Sequence, residues 1–390
     1  MHKTRLSSER GGALIIALMI MGMLAIIGIM AVDKASTDVV LSHNISNMDA
    51  AFYVAEAGAK RAFVVINNDN EWRDGYVDES FGDGVYTVIM FDSSADAALD
   101  DTVVIRSEAT FIDVEAWVEL WTAPEYYYPF TWGMFAGSGI NFDASTCTDS
   151  YNSDSGSYYE TVLQDGGSIG TNGTITTSKL VTIGGDASTA IGGSITLGAS
   201  SVVLGDTTTA MDSVHLDIVP QEEYDWAEAN SDVLVGMSGF DYTYDPVSKS
   251  LTTAQDGTVV LQSGVYFFST ITMAQASQIT LAPSAKVTIY IIGDIVFGQS
   301  CTVNDEGSPG ALQVYSQHGS LQFDQYNTFY GGFYGPEAVI QYDQTTEVYG
   351  SLVADYIQLD KGACFHYDRD LAKVKHNTTG RMLEIAWREL

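Results

Sequence analysis

Basic residues are what this chain has least of: 17 Lys and Arg stand against 50 Asp and Glu in 390 residues, a formal net charge of −33. Between Pro129 and Ala372 the imbalance sharpens to five against 28. Nucleic acids and anionic lipid headgroups are bound chiefly through basic side chains, so a nucleic-acid partner is excluded for the bulk of the chain. The acidity reads instead as solubility, a salty habitat or cation binding. Disorder does not follow from it, because 22 Tyr, 16 Phe and 6 Trp give the chain enough apolar surface to fold. Cysteine is scarce as well. Cys147, Cys301 and Cys364 are too few and too far apart for a disulfide framework, and no C-x-x-C pair points to zinc or redox chemistry. At most one bridge can form, and the expectation is of buried free thiols in strands. No nucleophile elbow or other serine signature accompanies His366-Tyr367-Asp368, so that run is not read as a triad.

What is present begins with a membrane anchor. Gly12 to Val32 carries no ionisable residue, and its apolar run includes Ala13, Leu14, Ile15, Ile16 and Leu18. About 20 apolar residues in a helix cross the ~30 Å hydrocarbon core, so the run is just long enough. Lys3, Arg5 and Arg10 outweigh Glu9 before it, which places that end in the cytoplasm and everything after Val32 on the exported side. A cleaved secretory signal is the competing reading. Its apolar region is usually shorter, and the exit Ile29-Met30-Ala31-Val32-Asp33-Lys34 offers no convincing small-x-small site.

The junction Glu9-Arg10-Gly11-Gly12-Ala13-Leu14-Ile15-Ile16-Ala17-Leu18 resembles a prepilin leader junction, with Gly11 as the last leader residue and Gly12 as the first mature one. Ile16 stands where major pilins have glutamate, an absence that resembles PilX-type minor pilins and the tip pseudopilin of type II secretion. The segment Asn47-Met48-Asp49-Ala50-Ala51-Phe52-Tyr53-Val54-Ala55-Glu56-Ala57-Gly58 is similar to the alanine-rich close of the PilX-type helix. The resemblance implies cleavage by the prepilin peptidase, methylation of the new amino terminus, and other pilins and minor pilins as partners.

The spacing carries its own argument. Leu41, Ile45, Met48, Phe52, Ala55, Ala59, Ala62 and Ile66 alternate steps of four and three, one stripe of a helix that something must cover. A neighbouring subunit and the chain's own head are both possible covers. The helix 12–66 would be on the order of 80 Å long, and Asn67-Asn68-Asp69-Asn70 would end it, since these side chains compete for backbone hydrogen bonds.

Between Tyr76 and Trp121 the period falls to two: Ile112, Val114, Ala116, Val118 and Leu120 face one way, Asp113, Glu115, Trp117 and Glu119 the other. A small antiparallel β head over 67–128 is expected, with Pro124 and Pro129 marking its boundary. Beyond it the sequence repeats. Ile140-Asn-Phe142-Asp143, Ile295-Val-Phe297-Gly298, Leu321-Gln-Phe323-Asp324, Ile340-Gln-Tyr342-Asp343 and Ile357-Gln-Leu359-Asp360 share one pattern, with Ile195-Thr-Leu197-Gly198 as a further copy. Gly and Asp tolerate the left-handed backbone, so their exchange at one position predicts a fixed corner there. Short steps between copies suit a parallel β-solenoid (β-helix), with an antiparallel sandwich as the alternative. The region also resembles exported bacterial domains related to polymer-forming β-helical proteins, through segments such as Trp132-Gly-Met-Phe135-Ala136-Gly137, Gly264-Val-Tyr266-Phe267 and Ala386-Trp387-Arg388-Glu389-Leu390.

Stacking would set Asp324, Asp343 and Asp360 ~4.8 Å apart up one corner, a ladder that could take calcium. The alternative, that each bonds its own corner backbone, is preferred, and no cofactor is assigned. His366 aligns with Tyr330 and Tyr349 and is expected to stack in their column. A solenoid enzyme acting on polysaccharide remains a third class, disfavoured because only Lys361 and Arg369 lie near the ladder. Tyrosines mixed with Asp, Asn and Gln point to a surface that binds polysaccharide or protein.

The expected architecture is α+β: leader 1–11, helix 12–66, head 67–128, solenoid 129–210, linker or insertion 211–255, solenoid 256–372 and tail 373–390. The expected function is non-catalytic: a minor pilin-like protein in the inner membrane, single-pass, with its exported domain reaching the cell surface on a type IV pilus, where it primes assembly or adhesion. A tip pseudopilin of type II secretion is the alternative.

Overall fold

The computed structural model describes residues 10–69, 71–95, 99, 101–232, 240–376 and 382–389. Lys3, Arg5 and Glu9 of the expected leader lie outside the described residues. The chain divides into two compact units, Met1–Glu125 with Gly380–Leu390, and Tyr126–Thr379.

In the first unit one helix runs from Arg10 to Asn68, 59 residues, or roughly 90 Å. It stops at the predicted Asn/Asp cluster, where the Asn68 side chain donates to the Val64 carbonyl at 2.8 Å and Asp69 closes the last backbone bond. Strands Tyr76–Phe81, Gly84–Phe91, Val103–Phe111 and Val114–Pro124 follow as an antiparallel meander. Ile112 was expected in the inward set of the last strand, but it belongs to the turn. Ile112 and Asp113 both have positive φ (49° and 55°), the geometry a two-residue hairpin with right-twisted strands requires. Glu119, expected to face water, is buried, because Arg106 directly opposite donates to its carboxylate through Nε at 2.9 Å.

A fifth strand corrects the expectation of a C-terminal tail over 373–390. Met382–Glu389 pairs antiparallel with Val114–Pro124. Asn67 accepts the Met382 amide at 2.7 Å, and Lys60 meets Glu384 at 2.6 Å.

The second unit is a large, mainly parallel sheet built of short strands. Through most of the unit a strand pairs with the one three places along, so three short strands make one repeat; over Thr328–Tyr342 and Glu347–Leu359 the strands of a repeat run together and pair as long neighbours in register. Every copy of the sequence motif, Ile295, Leu321, Ile340, Ile357, Ile140 and Ile195, falls in one column, buried except at half-buried Ile195, and Leu251, Ile271 and Ile175 belong to it as well. Two residues along, Phe297 stacks on Phe323 (4.7 Å between centroids) and Phe323 on Tyr342 (5.0 Å).

The order of that column is not the order of the chain. Ile140 sits between Ile357 and Ile175, so the first strands of the unit occupy the middle of the stack. The segment 129–210 extends it one way and 251–368 the other. Residues 211–255 do more than link the two. Helix Gln221–Asn230 buries Tyr224 and Ala227 in a cluster with Phe267, Tyr290, Tyr315 and Tyr334, which form an outward row on one side of the sheet. Ser250–Thr253 is itself a member of the stack, bordered by the antiparallel strand Tyr242–Asp245.

The corners are left-handed, but not at the predicted residue. Positive φ falls two positions after the exchanging Gly or Asp, at Ser145, Ser300, Tyr326, Thr345 and Gly362. A side chain there costs about 1–2 kcal/mol, and each corner offsets it with a bond to the next. Ser300 donates to Gln325, Tyr326 to Gln344, Gly362 to Ala144 and Ser145 to Lys179, through amides at 2.9–3.1 Å.

Candidate functional site

Three places bring together the residues singled out by sequence. On the long helix, the predicted stripe divides. Ala55, Ala59, Ala62 and Ile66 are buried against Tyr86, Val88, Ile105, Val118 and Leu120 of the first unit's sheet. Leu41, Ile45 and Met48 are exposed, and Phe52 is half-buried. Sequence spacing missed Ala51, Val54 and Gly58, which are also buried. Gly58 allows the closest approach: a Cβ there would lie 2.5 Å from Ser107 Oγ and 2.6 Å from Tyr86 Cδ2. Of the anchor residues, Gly12, Ala13, Leu14, Ile15, Ile16, Leu18 and Val32 are all exposed. The helix is long and apolar enough to cross a membrane. Gly11 is helical, beside Gly12.

The second place is the seam where the first strands enter the stack. Cys147 and Cys364 are register partners there and form a disulfide, 217 residues apart in sequence. This corrects the expectation of free thiols, which holds only for Cys301. The sequence could not show it, because the pairing depends on the reversed stacking order. Cys301 is buried at a corner, where Asn327 accepts its amide at 2.6 Å, and burial pushes its thiol pKa up.

The third place is a pair of side-chain columns on the second unit. Gln322, Gln341 and Gln358 are register partners and line a groove of about 560 Å³ together with Asp324, Asp343 and Asp360. Each aspartate has a local partner. Asp324 and Asp343 each accept the amide of the following residue at 2.7 Å, and Asp360 accepts from Gln358 at 2.9 Å. Among the described residues no group of three His, Cys, Asp or Glu could hold a metal ion.

On another face, Tyr330, Tyr349, His366 and Asp149 are successive register partners. Tyr330 stacks on Tyr349 at 4.2 Å and Tyr349 on His366 at 4.4 Å, with interplanar angles of 8° and 23°. His366 Nδ1 lies 2.7 Å from Asp149 Oδ1, and Tyr158 donates to the other carboxylate oxygen at 2.7 Å. The imidazole is thus held as a ring in a stack, with Nε2 buried and unbonded. Asp368, the third member of the His-Tyr-Asp run, is turned to another task. It accepts the Ser153 amide and hydroxyl at 3.0 and 2.6 Å, pinning the segment that carries Tyr158 and Tyr159. Its burial raises its pKa.

One membrane-length helix laid on a small antiparallel sheet, and a separate parallel-stacked β unit rich in ordered tyrosine, define the class of this protein. Residues 205–374 match a family described as a domain of unknown function (DUF7305). No curated protein matches the chain in sequence. Solved structures with some likeness include the competence-associated pilin ComZ from Thermus thermophilus, at 10% identity and a TM-score of 0.29, covering 88% of this chain and 98% of that one. Another is the ice binding protein from an Antarctic bacterium, Flavobacteriaceae, at 15% identity and a TM-score of 0.36, covering 63% of this chain and 48% of that one. The chain therefore spans about half the length of the second. At these scores the likeness is loose, and the fold rests on the strand pairings themselves.

Proposed function

We propose that this chain is a non-catalytic, PilX-type minor pilin-like subunit, held in the inner membrane by its first helix and carried at or near the tip of a type IV pilus. Its second unit closes into a β-solenoid that primes assembly or contacts a surface. The observation that supports this best is the divided stripe. The distal half of the helix is sealed by small residues against its own sheet, while Leu41, Ile45 and Met48 remain exposed above the membrane-length segment. Exposed apolar residues at helical spacing need a cover, and neighbouring pilin helices supply one. A disulfide across the stack suits an exported unit, since such bonds persist in oxidising compartments.

The test is fractionation. Pili sheared from cells should carry this chain in amounts far below the major subunit, and Ile45→Asp should keep it in the membrane without blocking its folding. Recovery of the wild-type chain only from membranes, in cells that assemble pili normally, would contradict the proposal.

A further inference from the structure

The segment pinned by Asp368 folds over the tyrosine column and leaves a cavity of about 540 Å³. Its walls include Tyr151, Tyr158, Tyr159 and Tyr330, with Glu306 at its edge. The rings stand nearly at right angles: Tyr151 to Tyr158 at 79° and 5.5 Å, Tyr158 to Tyr159 at 72° and 5.2 Å. Two walls are fixed beforehand, Tyr158 by its bond to Asp149 and Tyr330 by stacking on Tyr349. Tyr159 is 86% exposed and forms the outer wall.

Among the described residues the lining contains no Lys, Arg, Asn or Gln. An anionic ligand would find no counter-charge, and Glu306 would repel it. A cation fits better. Ring faces carry negative potential, and aromatic walls bind alkylated ammonium groups without hydrogen bonds. The surrounding field has the right sign. Burial, then Asp305, with Glu306 and Glu347 adding to it, pushes the Tyr330 hydroxyl up to about 12. Glu160 lies outside the lining, its Oε2 accepting from the Ser157 amide and hydroxyl at 2.9 and 2.8 Å.

We propose that this cavity is an aromatic cage for an organic cation, an alkylated or quaternary ammonium headgroup. It extends the surface-contact reading of the second unit by naming what that surface would carry, and its test requires no pilus. The full chain, in a polyoxyethylene detergent bearing neither choline nor sugar, is titrated calorimetrically with tetramethylammonium, choline, the uncharged choline analogue 3,3-dimethylbutanol, and methyl glucoside. Choline and tetramethylammonium should bind, added salt should weaken them, and the uncharged analogue should bind about tenfold worse or not at all. Tyr159→Ala, at an exposed ring, should weaken choline about tenfold with an unchanged circular dichroism spectrum, and Glu306→Gln severalfold. Tyr330→Ala is the weaker test, since it also opens the stack. Equal binding of the uncharged analogue, binding of the glucoside alone, or no choline binding at millimolar concentrations would overturn the assignment. No choline binding by a chain still found in sheared pili removes this inference alone. Choline binding by a chain never found in pili removes the pilus reading alone.

Discussion

Breaking the Cys147–Cys364 bridge should be the most damaging small change to the second unit. The bond joins stacked neighbours 217 residues apart in sequence, so without it the seam must be closed by pairing alone. On the chain-entropy account a loop of this length is worth about 5 kcal/mol. For a unit of some 250 residues that corresponds to roughly 10–20 °C in Tm. Backbone pairing from Cys364–Cys147 to Asp368–Tyr151 survives the substitution, so the double variant Cys147→Ser/Cys364→Ser should fold. Urea unfolding of the full chain in detergent, followed by tryptophan fluorescence, reads the difference; Trp132 packs on Phe135 at 5.1 Å beside the seam. Cys301→Ser serves as a control with a small effect, because it leaves the bridge intact. Three titratable thiols in the denatured native protein, or a double variant within about 1 kcal/mol of wild type, would refute the reasoning.

Other expectations follow from single contacts. Gly58→Val should destabilise the first unit by about 1–3 kcal/mol, since its side chain would enter the space of Ser107 and Tyr86; thermal unfolding checks it. Leu180→Asn should raise Tm slightly, the gain being about 0.5–1 kcal/mol, because Leu180 holds a left-handed φ of 60° that asparagine tolerates better. The Glu223 side chain is 12% exposed, with His376 Nε2 at 3.0 Å and the Tyr290 hydroxyl at 3.2 Å on one carboxylate oxygen and no protein partner on the other. Burial raises its pKa above 4.5, so its ionisation costs stability. That cost is absent below the ordinary value and grows as pH rises through the folded one. Glu223→Gln should therefore gain in Tm relative to wild type from pH 4 to 8, and a constant difference would count against the burial argument.

How much the sequence disclosed follows from which contacts are local. The end of the long helix was legible at Asn67 to Asn70, and the column from Ile140 to Ile357 was legible as a motif, because both depend on neighbours a few residues away. The corner was found but assigned two residues early: Asp324 and Asp343 mark it by bonding the next amide, whereas Tyr326 and Thr345 take the left-handed turn, for which their identities give no hint. Ile175, Leu251 and Ile271 were missed because no Gly or Asp follows them at the corner position. The disulfide was missed for a different reason. Nothing in short steps between copies says that Ile357 stacks on Ile140, and without that reversal Cys147 and Cys364 lie at distant ends of the unit.

Among the candidate sites, the stacking of His366 on Tyr349 was predictable from the repeat alignment. The cavity beside it was not, because Asp368 positions Tyr158 and Tyr159 from more than 200 residues away. Helix Gln221–Asn230 likewise gave no apolar stripe strong enough to announce that it covers Tyr290 and Tyr315.

The account depends on an apolar helix that is retained after its short leader is removed. Mass spectrometry of the mature amino terminus, in cells with and without the prepilin peptidase, tests this directly. A chain beginning at Gly12 or Ala13 only when the peptidase is present is the predicted result. An intact Met1, or a cut near Ala31 that discards the anchor, would contradict it.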